Sequence, residues 1–252
     1  TEDFGGGMSL LYSNPTLTHV TISGNFTASH GGGMNLNSSN PTLTHVTIVN
    51  NLSSGSGGGM RLYDSSPILT GVTFSGNLSA HFGDGILIVD STPILTNSII
   101  WDNGTESIFL SNGDEELIIS YSDIEGDTTW TGEGNINADP LFTDPENGDY
   151  TLQANSPCIA AGTVIEDMEY CGEAPDMGAY EYCEELSAAS ETHMPIHYSL
   201  NAAYPNPFNP VTSIAYSLPQ NGNIELIVYN IQGREIETLI NDFQTSGYYS
   251  IN

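Results

Sequence analysis

Gly31-Gly32-Gly33-Met34, followed by Asn35-Leu36, stands between two copies of itself, Gly5-Gly6-Gly7-Met8 and Gly57-Gly58-Gly59-Met60. Gly83-Asp84-Gly85-Ile86 is a worn fourth copy on the same 26-residue beat. Other positions keep that beat without slipping: Pro15, Pro41, Pro67 and Pro93; Leu17, Leu43, Leu69 and Leu95; Asn25, Asn51, Asn77 and Asn103. A constant period of this size signals stacked units, each of which buries its apolar face only against its neighbours. Within one unit Met8 and Leu10 flank Ser9, and Val20 and Ile22 flank Thr21. The hydrophobic period is therefore two, and the segments read as short strands. No stretch reads as a helix. Gly, Pro and Asn punctuate the strands at recurring offsets where tight corners need them. Some 26 strand and corner residues suit one coil of a three-faced parallel β-helix, with coils stacked at about 4.8 Å. The fold class is all-β: a right-handed parallel β-helix over residues 1–134, with Met8, Leu10, Leu17, Val20, Ile22 and their equivalents in later coils pointing inward.

The unit Gly-Gly-Gly-Met with Ile22-Ser23-Gly24-Asn25, echoed by Ile48-Val49-Asn50-Asn51, Phe74-Ser75-Gly76-Asn77 and Ile100-Trp101-Asp102-Asn103, resembles the repeats of the polymorphic outer-membrane proteins, bacterial surface β-helices. Ile replaces the family's Phe in three of four copies and remains apolar. Residues 135–183 carry Asn135-Ile136-Asn137-Ala138-Asp139-Pro140, Ser156-Pro157-Cys158-Ile159 and Asp176-Met177-Gly178-Ala179-Tyr180-Glu181. They resemble the closing segment of bacterial secreted β-helix proteins, with Ala160 where that family has Asp. A solenoid's last coil exposes strand edges and core, so this segment is expected to cover the open end. After a linker at 184–199, residues 200–252 contain Tyr204-Pro205-Asn206-Pro207-Phe208-Asn209-Pro210 and the alternating Ile224-Glu225-Leu226-Ile227-Val228-Tyr229. This part is similar to the sorting domain of type IX secretion substrates, an immunoglobulin-like β-sandwich. The resemblance implies export through that machinery to the bacterial cell surface or beyond. It also implies that both ends of the sequence fall inside larger units.

Arg61 and Arg234 are the only cations beside 31 carboxylates, and the formal net charge is −29. Nucleic acid and anionic lipid are excluded as partners, because both demand clustered Lys and Arg. No stretch approaches the roughly 20 apolar residues of a membrane-spanning helix. Residues 1–101 hold five acids and residues 102–191 hold 22. That crowding implies either a solvated, salt-tolerant surface or a bound hard cation, with calcium the candidate cofactor and Asp139, Asp144 and Asp149 its candidate ligands. The spacing matches no EF-hand loop. Cys158, Cys171 and Cys183 all lie in the closing segment. A disulfide between Cys158 and Cys171, or between Cys171 and Cys183, would pin the loop around Asp167 and leave the third thiol over.

For catalysis, Asp64 and Asp90 are the one carboxylate pair in register, about 5 Å apart on adjacent coils, which approaches retaining-glycosidase geometry. Their position before Ser66-Pro67 and Thr92-Pro93 also suits turn formers. His19 and His45, beside Thr21, Thr47 and Thr73, form a ladder on an outward strand face, a candidate binding surface. Asn25, Asn51, Asn77 and Asn103 each stand in an N-x-S/T sequence, but recurrence at one corner favours stacked side-chain amides over sugar attachment. The expected function is non-catalytic, adhesion or binding of polysaccharide or cell-surface glycan. The alternative is a carbohydrate-active enzyme, a lyase or hydrolase, with catalytic coils upstream.

Overall fold

The computed structural model describes residues 4–111, 117–126, 129–166, 168–183, 198–200, 212–230 and 232–251. Asp167, the 204–210 run and linker residues 184–197 lie outside them. The chain divides into two compact units, Thr1–Glu184 and Glu185–Asn252.

The first unit is a parallel solenoid. Its first coil contains β1 (Met8–Leu11), β2 (Thr16–Thr18), β3 (Thr21–Ser23) and β4 (Phe26–Thr27). The second contains β5 (Met34–Asn37), β6 (Thr42–Thr44), β7 (Thr47–Val49) and β8 (Leu52–Ser53). The third contains β9 (Met60–Tyr63), β10 (Ile68–Thr70), β11 (Thr73–Ser75) and β12 (Leu78–Ser79). The fourth contains β13 (Ile86–Val89), β14 (Ile94–Thr96) and β15 (Ile99–Trp101), and the fifth contains β16 (Ile108–Leu110), β17 (Ile118–Ser120) and β18 (Asp123–Ile124). Corresponding strands pair in parallel into three five-stranded faces: the first from β1 to β16, the second from β2 to β17, the third from β3 to β18. A short three-stranded strip joins β4, β8 and β12. Register follows the repeat, Met8 to Met34 to Met60 and Ile22 to Ile48 to Phe74. The last coil is shorter, since Ile86 pairs with Ile108 and Ile94 with Ile118.

Each corner is a left-handed residue. The first face turns into the second at Tyr12, Ser38, Asp64 and Asp90, and the second into the third at His19, His45, Gly71, Asn97 and Tyr121, all with φ between 47° and 58°. Polar and glycine residues dominate these sites because most side chains resist that conformation. In the Gly-Gly-Gly corner coils approach backbone to backbone. A Cβ on Gly33 would sit 2.6 Å from the Gly59 carbonyl oxygen. Alternate strand residues then fill the interior: Met34, Leu36, Leu43, Val46, Ile48, Met60, Leu62, Leu69, Val72 and Phe74 are fully buried in one cluster. The expected inward register holds.

The closing segment departs from expectation. Trp130, with Leu110 and Leu117, packs against the end of that core. The antiparallel hairpin β19 (Phe142–Asp144) and β20 (Asp149–Leu152) and residues to 182 instead lie alongside the solenoid, against the outer surface of the third face. Phe142, Tyr150, Leu152, Cys158 and Met177 form a second core there with Val49 and Ile99, joined by Trp101. The physical reason is apolar outward positions: Val49, Ile99 and Trp101 would otherwise face water. Cys171 and Cys183 form a disulfide, leaving Cys158 free and buried.

In the second unit β22 (Ile214–Leu218) pairs antiparallel with β21 (Ser199–Leu200) and with β25 (Gly247–Ile251). β23 (Gly222–Tyr229) pairs with β24 (Glu235–Gln244). Among the described residues the second unit shows these two small antiparallel sheets in place of the expected sandwich, with Tyr216, Leu218, Leu226 and Val228 on strands. Among the described residues no helix is long and apolar enough to cross a membrane.

Candidate functional site

Stacked coils make every residue type a column, so a site on this molecule is a choice of face. The third face is not available below its first coil. Its outward column runs Thr21, Thr47, Thr73, Ile99, Asp123. Thr21 is exposed, but Thr47 and Thr73 are 2% and 1% exposed, which removes both from the expected binding surface. The lateral layer covers them: the Ala179 N–H donates to Thr73 Oγ1 at 2.9 Å. Gly178 closes the approach, since a Cβ there would meet Ile99 Cδ1 at 2.7 Å and its φ is +101°. Asn97 clamps the layer further, donating to the Thr163 carbonyl and accepting from its N–H, both at 2.8 Å. Asn50 donates to the Tyr150 hydroxyl at 3.0 Å.

His19 and His45 sit at the corner between the second and third faces, not on a strand face as expected. Their rings stack at 4.9 Å. His19 is exposed and His45 half-buried, because the Gly178 region packs over Gly71 on the next rung. Burial first, then the His19 ring, holds His45 below the ordinary histidine value, against the pull of Glu169.

The expected metal ligands do not converge. Asp139 accepts the Leu141 N–H, Asp144 accepts from Asn147, and Asp149 accepts from the N–H and hydroxyl of Thr151. These are turn-capping bonds. Among the described residues no group of three His, Cys, Asp or Glu side chains is placed to hold a metal ion. Asp64 and Asp90 are exposed left-handed corner residues, and Ser38 Oγ donates to Asp64 at 3.2 Å.

The Asn column is internal. Asn51, Asn77 and Asn103 are buried. Each Nδ2 in the series Asn25, Asn51, Asn77 donates to the Oδ1 of the next, at 3.0, 3.0 and 2.8 Å. Each buried member also donates to a carbonyl near the preceding corner, Asn51 to Ile22 at 2.9 Å and Asn77 to Ile48 at 2.8 Å.

Sequence reasoning passed over two groups of carboxyls, one where the lateral layer meets the fifth coil and one within the layer. Asp123, fully buried, accepts from the Cys158 thiol at 3.2 Å and from the Ala138 N–H at 3.1 Å. Burial pushes its pKa up to about 6, and burial likewise pushes the thiol up. Asp176 accepts from Ala160 and Tyr182, while Glu181 accepts from Cys171 and Asp176. Burial, then the Asp176 charge, pushes Glu181 up to about 7. Both groups cap the backbone of the layer. The signal for Asp123 was its place in the Thr and Ile column of a covered face.

The first face is more open, although Asn35 and Leu87 in its outward columns are buried. Its outward columns are Ser9, Asn35, Arg61, Leu87, Phe109 and Leu11, Asn37, Tyr63, Val89. Arg61 Nη1 donates to Asn35 Oδ1 at 3.0 Å, and its Cζ lies 5.6 Å from the Phe4 ring centre and 5.1 Å from that of Tyr63. Phe82 and Phe109 stack at 4.6 Å two rungs away. Rings, amides and one guanidinium thus share a surface in which Leu11, Tyr63 and Phe82 remain 59%, 40% and 49% exposed.

The family model described as right handed beta helix region matches residues 1–133. No curated protein and no solved structure matches the chain. The matched span is more than half of the chain and coincides with the five stacked coils, so this protein belongs to the right-handed β-helix family.

Proposed function

We propose that this protein is a non-catalytic, secreted or cell-surface β-helix that binds polysaccharide or cell-surface glycan through the outward columns of its first face. One observation carries the reading: the lateral layer covers the third face over coils two to five, whereas the first face leaves Leu11, Tyr63 and Phe82 exposed and Asn37 and Phe109 half-buried. Sugar rings present apolar C–H faces that pack on aromatic side chains, and hydroxyls that bond to amides such as Asn37. A surface that runs over successive rungs suits a polymer better than a small molecule. The repeats' likeness to polymorphic outer-membrane proteins agrees with display at a bacterial surface. The second unit is the export address, an immunoglobulin-like domain of the type IX sorting kind, a reading supported by the Tyr204-Pro205-Asn206-Pro207-Phe208-Asn209-Pro210 run and the antiparallel strands after it.

Affinity electrophoresis through gels containing neutral or acidic polysaccharides tests the binding. The intact chain is retarded by at least one polymer, and the double substitution Tyr63→Ala, Phe109→Ala weakens retention about tenfold, the loss of some 1.4 kcal/mol of ring contact. Unchanged retention of the double variant sinks the reading.

A further inference from the structure

Arg61 is the only cation of the solenoid sequence, and it is held unlike a solvated surface arginine. Its stem lies in β9 and its guanidinium is half-buried between the Phe4 and Tyr63 rings. Of its five N–H bonds one goes to Asn35, and the other four meet no protein acceptor among the described residues. No carboxylate among them faces it. Burial alone holds its pKa below the ordinary arginine value, with Tyr63 pulling the other way. Among the described residues this guanidinium is desolvated by rings, stiffened by one amide and faced by no counter-charge, the arrangement of a preorganised anion receptor. Burying such a charge without a partner is costly, and a ligand carboxylate removes that cost.

We infer that Arg61 is the anion-reading centre of the first face and that its ligand is a carboxylate-bearing sugar within an acidic glycan. The inference rests on the glycan-binding reading above and narrows it. The planar fork of Arg pairs bidentately with a carboxylate, while Phe4 and Tyr63 flank the guanidinium where the C–H face of the same sugar packs. Those rings favour a sugar acid over an acidic peptide, which offers them no such face. The net charge does not forbid a polyanion here. Of 31 acids, residues 102–191 carry 22, whereas residues 1–101 carry five, and at physiological salt charges are screened over about 8 Å.

The test uses the intact chain and three polymers: polygalacturonate, its fully methyl-esterified form, and polyglutamate. Calorimetry is expected to show polygalacturonate at least tenfold tighter than the ester and than polyglutamate. Arg61→Gln removes the preference, and Arg61→Lys, which keeps the charge but loses the fork, restores only part of it. Equal affinity for acid and ester, untouched by Arg61→Gln, overturns the inference and leaves the glycan reading standing. Equal affinity for polyglutamate overturns the assignment to a sugar. No binding of any polymer removes both readings. The wild-type comparison of acid with ester decides the charge question even if an Arg61 variant does not fold, and tryptophan fluorescence reports whether it has.

Discussion

Asn51 shows how one side chain holds three coils. Its Oδ1 accepts from the N–H and the Nδ2 of Asn25 at 3.0 Å each, while its own Nδ2 donates to Asn77 and to the Ile22 carbonyl. Leucine has the same number and branching of heavy side-chain atoms, in a larger volume, but none of these groups. Asn51→Leu therefore strands the Ile22 carbonyl and the half-buried Asn25 N–H without the amide that pairs them, and is expected to destabilise the first unit by about 2–3 kcal/mol. Urea unfolding followed by Trp101 and Trp130, both in that unit, measures it; an unchanged midpoint contradicts the ladder's role. At the same scale the left-handed corners explain why Asp64 and Asp90 occupy a repeated position without requiring catalysis, since Tyr12 and Ser38 adopt the same backbone there. The column of Arg61 sets that residue apart by contrast, because no other coil places a cation or a carboxylate at its position.

Among elements, the lateral layer is where pH enters. Asp123 titrates near 6 and Glu181 near 7 in the folded protein, against ordinary values of 3.8 and 4.5. A raised carboxyl pKa means that the folded state holds its proton more tightly than the unfolded chain. Stability from these groups is therefore full below pH 4 and is lost as pH rises through 6 to 7. For Asp123 the difference is about 3 kcal/mol. Urea midpoints at pH 4.5 and pH 7.5, at constant salt, should fall with rising pH, and Asp123→Asn should flatten much of that slope; a slope of opposite sign or an unaltered one refutes the assignment. The strands and their inward faces were legible in the sequence because backbone stacking forces one period on every position. The layer was not. Its strands are short and non-repeating, and the destination of residues 142–182 was written on another element, in the outward apolar residues Val49, Ile99 and Trp101. For the same reason Thr47 and Thr73 read as surface when taken only with Thr21. The Arg61 cluster was half legible: the lone cation is visible in composition, but its ring partner Phe4 comes from two coils away.

At the scale of the whole molecule the two units invite separate tests. Deleting residues 200–252 from the protein in its native host should leave the β-helix in the periplasm, while the intact protein becomes accessible to protease added to whole cells. Equal surface exposure of both forms would deprive the second unit of its role as an export address. The first unit raises a mechanical question. A bare solenoid is quasi-one-dimensional and opens from its ends, because each coil touches only its neighbours. Here Tyr150, Ala179, Thr163 and Cys158 of one lateral layer grip Asn50, Thr73, Asn97 and Asp123, one residue from each of coils two to five. The layer works as a splint. Coils two to five can then unravel only together, whereas the first coil, with Thr21 exposed, lies outside that grip. Hydrogen exchange should divide at that boundary, and a pulling force applied to the coils should meet one tall barrier in place of a staircase.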